Sequence, residues 1–177
     1  MHTKTLDLGC GLHPKNPFSA AEAFGIDIRD SPDGRIRRAD LATEPIPFPD
    51  NHFAFVTAFD LIEHIPRVLY LPERRNCFVE LMNEVHRVLA PGGIFYSSTP
   101  AYPHAAAFID PTHVNIIAEG TFSLYFANGA ADGPWGVIYG FKGYFELMQE
   151  QWSGPHLQTM LRKAERPQPV AAATQPT

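Results

Sequence analysis

Short apolar runs separated by polar turns divide the first part of the chain. They cover residues 3–8, 23–28, 35–40 and 53–59, and the last of them, FAFVTAF, combines aromatic with β-branched residues. Runs of this kind, bounded by Gly, Asn or Asp, are typical of buried β-strands. The pattern therefore predicts four strands before the middle of the chain.

The apolar positions then change to the spacing of one helix face. They are Phe78, Leu81, Met82, Val85 and Leu89. Pro72 suits the first turn of this helix, and the APGG stretch at 90–93 ends it. A fifth strand is predicted at 94–100. Strands that alternate with a helix in this way indicate an α/β fold with a parallel sheet.

The last third predicts an antiparallel hairpin at one edge of the sheet. Its strands are placed at 136–147 and 156–164, with a turn at Gly154-Pro155 between them. Residues 167–177 have the composition of a disordered tail. We therefore expect one domain over residues 1–166.

Composition and charge narrow the classes of function. The chain has 177 residues, of which 45% are hydrophobic and 19% charged, with a net charge of −5. A negative chain without a basic block argues against a nucleic-acid partner, and no apolar run is long enough to span a membrane. Two cysteines without metal-type spacing are expected to be reduced thiols. A cytoplasmic protein is the prediction.

A glycine turn follows the first strand at Gly9, Cys10 and Gly11. Glycines there let backbone approach a ligand closely. Pro14 stands where a dinucleotide-binding loop has its third glycine, which argues against a nicotinamide oxidoreductase. Acids close three successive strands, and an acid such as Asp27 at the end of the second can accept hydrogen bonds from a ribose. The alternative is that these acids only cap turns.

Five segments, in this order, resemble the class I S-adenosylmethionine-dependent methyltransferases, in particular their type 11 group. They are LDLGCG at 6–11, GIDI at 25–28, ADL at 39–41, and the stretches 46–65 and 84–100. The resemblance implies a Rossmann-like, mostly parallel sheet with helices on both faces, and S-adenosylmethionine as cofactor. The residues that it implies for the cofactor are Asp7, Gly9, Cys10, Gly11, Asp27, Ile28, Asp40, Leu41, Phe59 and Asp60.

Two departures from the family concern the side where the substrate binds. The family's first strand is normally preceded by helices that cover the substrate, whereas here it starts within a few residues of Met1. Pro14 and Pro17 also interrupt the helix expected after that strand. We therefore expect no N-terminal cover helices and a substrate side that is either open or covered by another subunit, as in a homo-oligomer.

The resemblance implies methyl transfer to a small-molecule or glycan acceptor, for which oxygen is the expected atom. A hydroxyl acceptor needs a general base, and the segment that leaves the fifth strand carries His104 and His113. Asp110 is placed to orient the His113 ring, so His113 is the first candidate and His104 the second. Each histidine has the alternative of a hydrogen bond within its loop. A non-catalytic partner subunit that binds the cofactor is the alternative function.

Asp60, Glu63 and His64 offer oxygen and nitrogen ligands and are therefore a candidate metal site. Glu-His after the fourth strand is also common in relatives without a metal, and Asp60 replaces the glutamate usual in the metal-binding motif. The sequence therefore predicts no metal ligands.

Overall fold

The computed structural model describes residues 3–167. Its strands are β1 (Lys4–Leu8), β2 (Glu22–Asp27), β3 (Ile36–Arg38), β4 (Phe53–Phe59), β5 (Leu89–Tyr102), β6 (Ile117–Ala118), β7 (Phe145–Ser153) and β8 (His156–Lys163). Its α-helices are α1 (Cys77–Val88), α2 (Ala106–Ile109) and α3 (Thr121–Phe126), and 3₁₀ turns lie at Ile62–His64 and Trp135–Tyr139. None of the helices described is long and apolar enough to cross a membrane.

One mixed sheet carries the fold, in the order β3-β2-β1-β4-β5-β8-β7, with β6 beside the end of β5. The strands from β3 to β5 run parallel, and β8 and β7 add an antiparallel hairpin at the edge. These strands confirm the predicted Rossmann-like sheet. The strand order reverses between β1 and β4, so a ligand crevice is expected beyond the carboxyl ends of these two strands.

Helix α1 packs on one face of this sheet. Leu6, Val56 and Phe95 share that face, because the register pairs Leu6 with Val56 and Val56 with Phe95. All three are fully buried, in one cluster with Met82 and Val85 of α1. The apolar stripe that predicts the helix is therefore its core face, although the helix begins at Cys77 and not near Pro72.

Turns, and no helix, connect β1 to β2 within the described residues. Pro14 and Pro17 lie in this connection, which covers the face opposite α1 with side chains. The ring of Phe18 stacks on that of Phe55 at 4.5 Å, and the Lys15 Nζ lies 4.2 Å from the ring centre of Phe59. The predicted fold class would place a helix here, so the prolines remove it altogether.

The first late strand was predicted too early in the chain. Residues 135–139 form a 3₁₀ turn, Gly140 follows with φ of 97°, and β7 begins only at Phe145. Trp135 and Tyr139 pack against the ring of Tyr125, so these aromatic residues serve the helical layer and not the sheet. The turn before β8 lies at Gly154 as predicted. Apart from Pro167, the predicted tail lies outside the described residues.

Candidate functional site

The glycine turn begins where β1 ends and follows a left-handed path. Gly9 and Gly11 have φ of 68° and 61°, and a Cβ on Gly9 would come within 2.9 Å of Leu61. Cys10 N donates to the carbonyl of Ile26 at 3.0 Å, which fixes the turn beside β2. The first loop after β1 thus reaches the end of β2, as a cofactor site at this edge requires.

Asp27 is the polar centre of this region. One carboxylate oxygen, Oδ2, accepts from Gly11 N at 2.8 Å, and the other accepts from the backbone N and Nε of Arg29 at 3.0 and 2.8 Å. These hydrogen bonds, with that from the Arg29 side chain the largest effect, hold the pKa of Asp27 below its ordinary value. The carboxylate is therefore ionised at neutral pH and suited to accept hydrogen bonds from hydroxyls.

Asp7 lies beneath the glycine turn and is buried. Its carboxylate accepts from Thr57 Oγ1 at 2.7 Å and from Lys15 N at 2.8 Å. Burial is the main effect on this carboxyl and raises its pKa. These contacts give Asp7 a role in holding the segment that follows the turn. A direct contact of Asp7 with the cofactor stays a prediction.

Three of the residues that the resemblance implies for the cofactor, Ile28, Asp40 and Leu41, differ in exposure or in their contacts. Ile28 is 58% exposed at the end of β2, whereas Leu41 is only 8% exposed and belongs to the core. The Asp40 carboxylate accepts from Ala42 N at 3.0 Å, so it also organises its own turn. Ile28 is therefore the residue of this group that offers apolar surface to a ligand.

Phe59 and Asp60 lie at the carboxyl end of β4, across the point of strand reversal. Asp60 has a left-handed φ of 50°, which is uncommon outside glycine. Its Oδ1 lies 2.7 Å from Nε2 of His156. The sequence pattern does not predict this histidine as functional, because it opens β8 and reaches Asp60 only through the register that pairs it with Pro100.

The predicted bases lie in the segment after β5. His104 Nδ1 accepts from Ala106 N at 3.1 Å in an exposed turn. The His113 side chain is only 10% exposed, and its Nε2 lies 4.0 Å from Asp110, too far for a hydrogen bond. Thr112 takes the place predicted for His113, since its N and Oγ1 donate to Asp110 at 2.8 and 2.6 Å.

His113 instead joins His64 and Glu63. The two imidazole rings lie 4.9 Å apart, centre to centre, and one nitrogen or oxygen of each of the three side chains lies within 4.8 Å of the others. The Glu63 carboxylate is buried and accepts from Thr99 Oγ1 at 2.7 Å, and burial raises its pKa. In the sequence, Glu63 and His64 form a candidate metal site with Asp60. In the fold, His113 and not Asp60 lies beside these two residues.

Comparisons with known proteins agree with this architecture. A family model described as a methyltransferase domain matches residues 2–159. Among curated proteins, none matches the sequence. The S-adenosylmethionine-dependent methyltransferase of Mesorhizobium loti is 16% identical, with a TM-score of 0.57 over 90% of each chain.

Two further solved structures share the fold. An S-adenosylmethionine-dependent methyltransferase from Archaeoglobus fulgidus is 14% identical, with a TM-score of 0.57 over 91% of this chain and 86% of its own. A chain in the complex between the Haloferax volcanii Trm112 methyltransferase activator and a methyltransferase is 13% identical, with a TM-score of 0.58 over 93% of this chain and 84% of its own.

Proposed function

Because the chain belongs to the class I S-adenosylmethionine-dependent methyltransferases, we propose that it methylates a hydroxyl oxygen of a small-molecule or glycan acceptor. The observation that supports an oxygen acceptor is the pair formed by His156 and Asp60 at the carboxyl end of β4. An imidazole held by a carboxylate is an arrangement that removes a proton from a hydroxyl.

In the proposed complex the cofactor lies over the glycine turn. Asp27 accepts hydrogen bonds from the ribose hydroxyls, in partial exchange for those from Arg29. Gly9 and Gly11 leave room for the rest of the cofactor to approach the backbone. Ile28 supplies apolar surface for the adenine, and Asp40 and Leu41 follow the end of the next strand, β3.

The reaction divides between the cofactor and the chain. The sulfonium carries a good leaving group, so the protein's main contribution is to bring the acceptor in line with the methyl group, an effect of about 7–11 kcal/mol in well-oriented systems. A hydroxyl gains nucleophilicity when its proton leaves. Asp60 accepts a hydrogen bond from Nε2–H of His156, which leaves Nδ1 of His156 to take the proton of the acceptor.

His156 meets two requirements together that the predicted bases do not. Its side chain is 31% exposed, and its carboxylate partner lies at hydrogen-bond distance. His113 is more deeply buried, and the nearest oxygen of Asp110 is 4.0 Å away. The assignment of the base to His113 or His104 stays a prediction, and the same variants test it.

The experiment begins with a screen of hydroxyl and amine acceptors with radiolabelled S-adenosylmethionine. With the acceptor identified, His156→Ala is expected to lower kcat by about 10²- to 10⁴-fold, the usual contribution of a general base. The affinity for S-adenosylhomocysteine should stay within about twofold, because a base acts in the transition state. His113→Ala and His104→Ala are measured alongside, and His52→Ala, at the amino end of β4, is the control.

Four results would contradict the proposal. A product methylated at nitrogen excludes the oxygen acceptor, and a near-normal kcat of His156→Ala excludes that residue as the base. A chain that binds the cofactor but methylates none of the acceptors offered supports the alternative of a non-catalytic partner subunit. A strong loss in His113→Ala alone would return the role to His113.

A further inference from the structure

We propose that Glu63, His64 and His113 bind a divalent transition-metal ion, with Zn²⁺ the ion that suits them best. The three side chains come from two segments, the 3₁₀ turn after β4 and the loop before β6. One nitrogen or oxygen atom of each lies within 4.8 Å of the other two. The proposal is independent of the acceptor and of the role given to His156.

Glu63 supplies the first argument. Its side chain is 1% exposed, and Thr99 donates to Oε2. The other oxygen, Oε1, is buried without a hydrogen-bond partner among the residues that the structure describes. A buried carboxylate oxygen without a donor or a cation is costly, and a bound metal ion removes that cost.

His113 supplies an independent second argument. Its side chain is nine-tenths buried, and Nδ1 is also without a hydrogen-bond partner among residues 3–167. Two polar atoms that lack partners thus belong to neighbouring side chains of the same cluster. An imidazole nitrogen with a free lone pair is the commonest metal ligand of proteins.

His64 completes the set from the more open side. Its Nδ1 lies 3.1 Å from Thr112 Oγ1 and 3.3 Å from the Thr112 carbonyl oxygen. A hydrogen bond at one ring nitrogen orients the ring and leaves the other nitrogen for a metal, as in most histidine-metal sites. Backbone bonds from Val114 N and Asn115 N to the carbonyl of Glu63, both at 2.9 Å, hold the two segments together.

The set of donors selects the class of metal. Two imidazoles and one carboxylate favour zinc and its neighbours over Mg²⁺ or Ca²⁺, which prefer oxygen alone. Two ligand atoms bound to tetrahedral zinc lie about 3.4 Å apart, from bonds of about 2.1 Å. Side-chain rotations that bring the most distant pair of ligand atoms roughly 1.4 Å closer together therefore give the spacing of tetrahedral zinc. Three protein ligands leave a fourth position open.

The sequence argues against a metal because Asp60 stands where the metal-binding motif has a glutamate and because Glu-His is common in relatives without a metal. In the fold, Asp60 turns away to His156, so that ligand set is not formed. His113 replaces it from far along the chain, a substitution that only the tertiary structure reveals. The competing explanation is a proton shared between Glu63 and His113 without any metal.

The test is calorimetric titration of the chelator-treated full chain with Zn²⁺. We expect one site per chain, with Zn²⁺ raising the Tm of the wild type. His64→Ala and His113→Ala should each weaken Zn²⁺ binding at least tenfold, whereas His104→Ala, in the same segment as His113, should not. His64 is the least buried of the three ligands, so its variant keeps the test valid if His113→Ala fails to fold.

A visible spectrum of the Co²⁺-loaded chain adds a readout that does not depend on activity. A four-coordinate spectrum in the wild type that is lost in His64→Ala supports the site. Zn²⁺ that fails to bind, or that binds equally to the wild type and His64→Ala, overturns the proposal. In the first case the shared proton accounts for the cluster, and in the second the metal binds elsewhere.

Discussion

The cofactor site is tested most directly at Asp27, whose carboxylate is proposed to accept the ribose hydroxyls. Asp27→Ala removes both oxygens at the end of β2. A hydrogen bond to a charged group contributes about 1.5–3 kcal/mol, and part of it is recovered by water. We therefore expect S-adenosylhomocysteine binding to weaken by about 1–3 kcal/mol, which is about 5- to 150-fold in Kd.

Arg29 makes this prediction more specific. The Arg29 Nε donates to the Asp27 carboxylate at 2.8 Å. The Arg29 side chain is 66% exposed, so packing does not hold it in this position. The ribose competes with it for the same oxygens. Arg29→Ala is therefore expected to leave the affinity unchanged or to strengthen it, in contrast to Asp27→Ala.

Calorimetry with S-adenosylhomocysteine on folded variants is the assay. Asp33→Ala is a matched control, because Asp33 accepts from the backbone N and the guanidinium of Arg35 at 2.9 and 3.0 Å, as Asp27 does from Arg29. The control should bind like the wild type. Unchanged affinity in a folded Asp27→Ala refutes the ribose contact. An equal loss in Arg29→Ala means that the carboxylate serves the fold through Arg29.

Two further predictions concern stability, one from the packing at Gly25 and one from the buried carboxyl of Glu63. Gly25→Ala places a Cβ against Cys10 and 2.8 Å from Pro14, so it should lower the free energy of unfolding by about 1–3 kcal/mol. Gly34→Ala is the control, because the space around Gly34 is open and the variant should keep the stability of the wild type. Equal Tm values of the two variants would contradict the packing described for Gly25. Burial raises the pKa of Glu63, so the contribution of Glu63 to the stability of the metal-free wild type should fall as pH rises above about 4.3, the ordinary glutamate value. Glu63→Gln should therefore be the more stable at neutral pH, with a difference that shrinks toward pH 4, and urea unfolding across this range measures it.

The early part of the fold follows from local sequence pattern. β4 matches its prediction at both ends, because the FAFVTAF run is rich in aromatic and β-branched residues and is bounded by Asn51 and Asp60. The helix that follows has one clear apolar face. The strand predicted over 136–147 starts too early because Tyr139 and Phe141 satisfy strand propensity. In the fold they pack against Tyr125 and Phe126 of α3, a tertiary effect that no local pattern contains.

The candidate site divides in the same way. The glycine turn and Asp27 could be predicted, because strand ends of a parallel sheet meet at one edge and each end carries its own signal. His156 could not, since its contact with Asp60 depends on the register of β8 against β5. His113 likewise meets Glu63 only because the loop after β5 folds back on the 3₁₀ turn.

The turn after β1 shows how this chain holds a cofactor crevice without a helix in that connection. Asp7 bonds to Thr57 on one side and to Lys15 N on the other, so a buried carboxylate ties the connection to the neighbouring strand. Phe18 covers the sheet where a helix would pack. The amides of the turn are then positioned by the Ile26 carbonyl and the Asp27 carboxylate and not by a helical hydrogen-bond ladder. Gly11 N donates to Asp27, so the proposed cofactor contacts at Asp27 would act on the same structural unit as the turn.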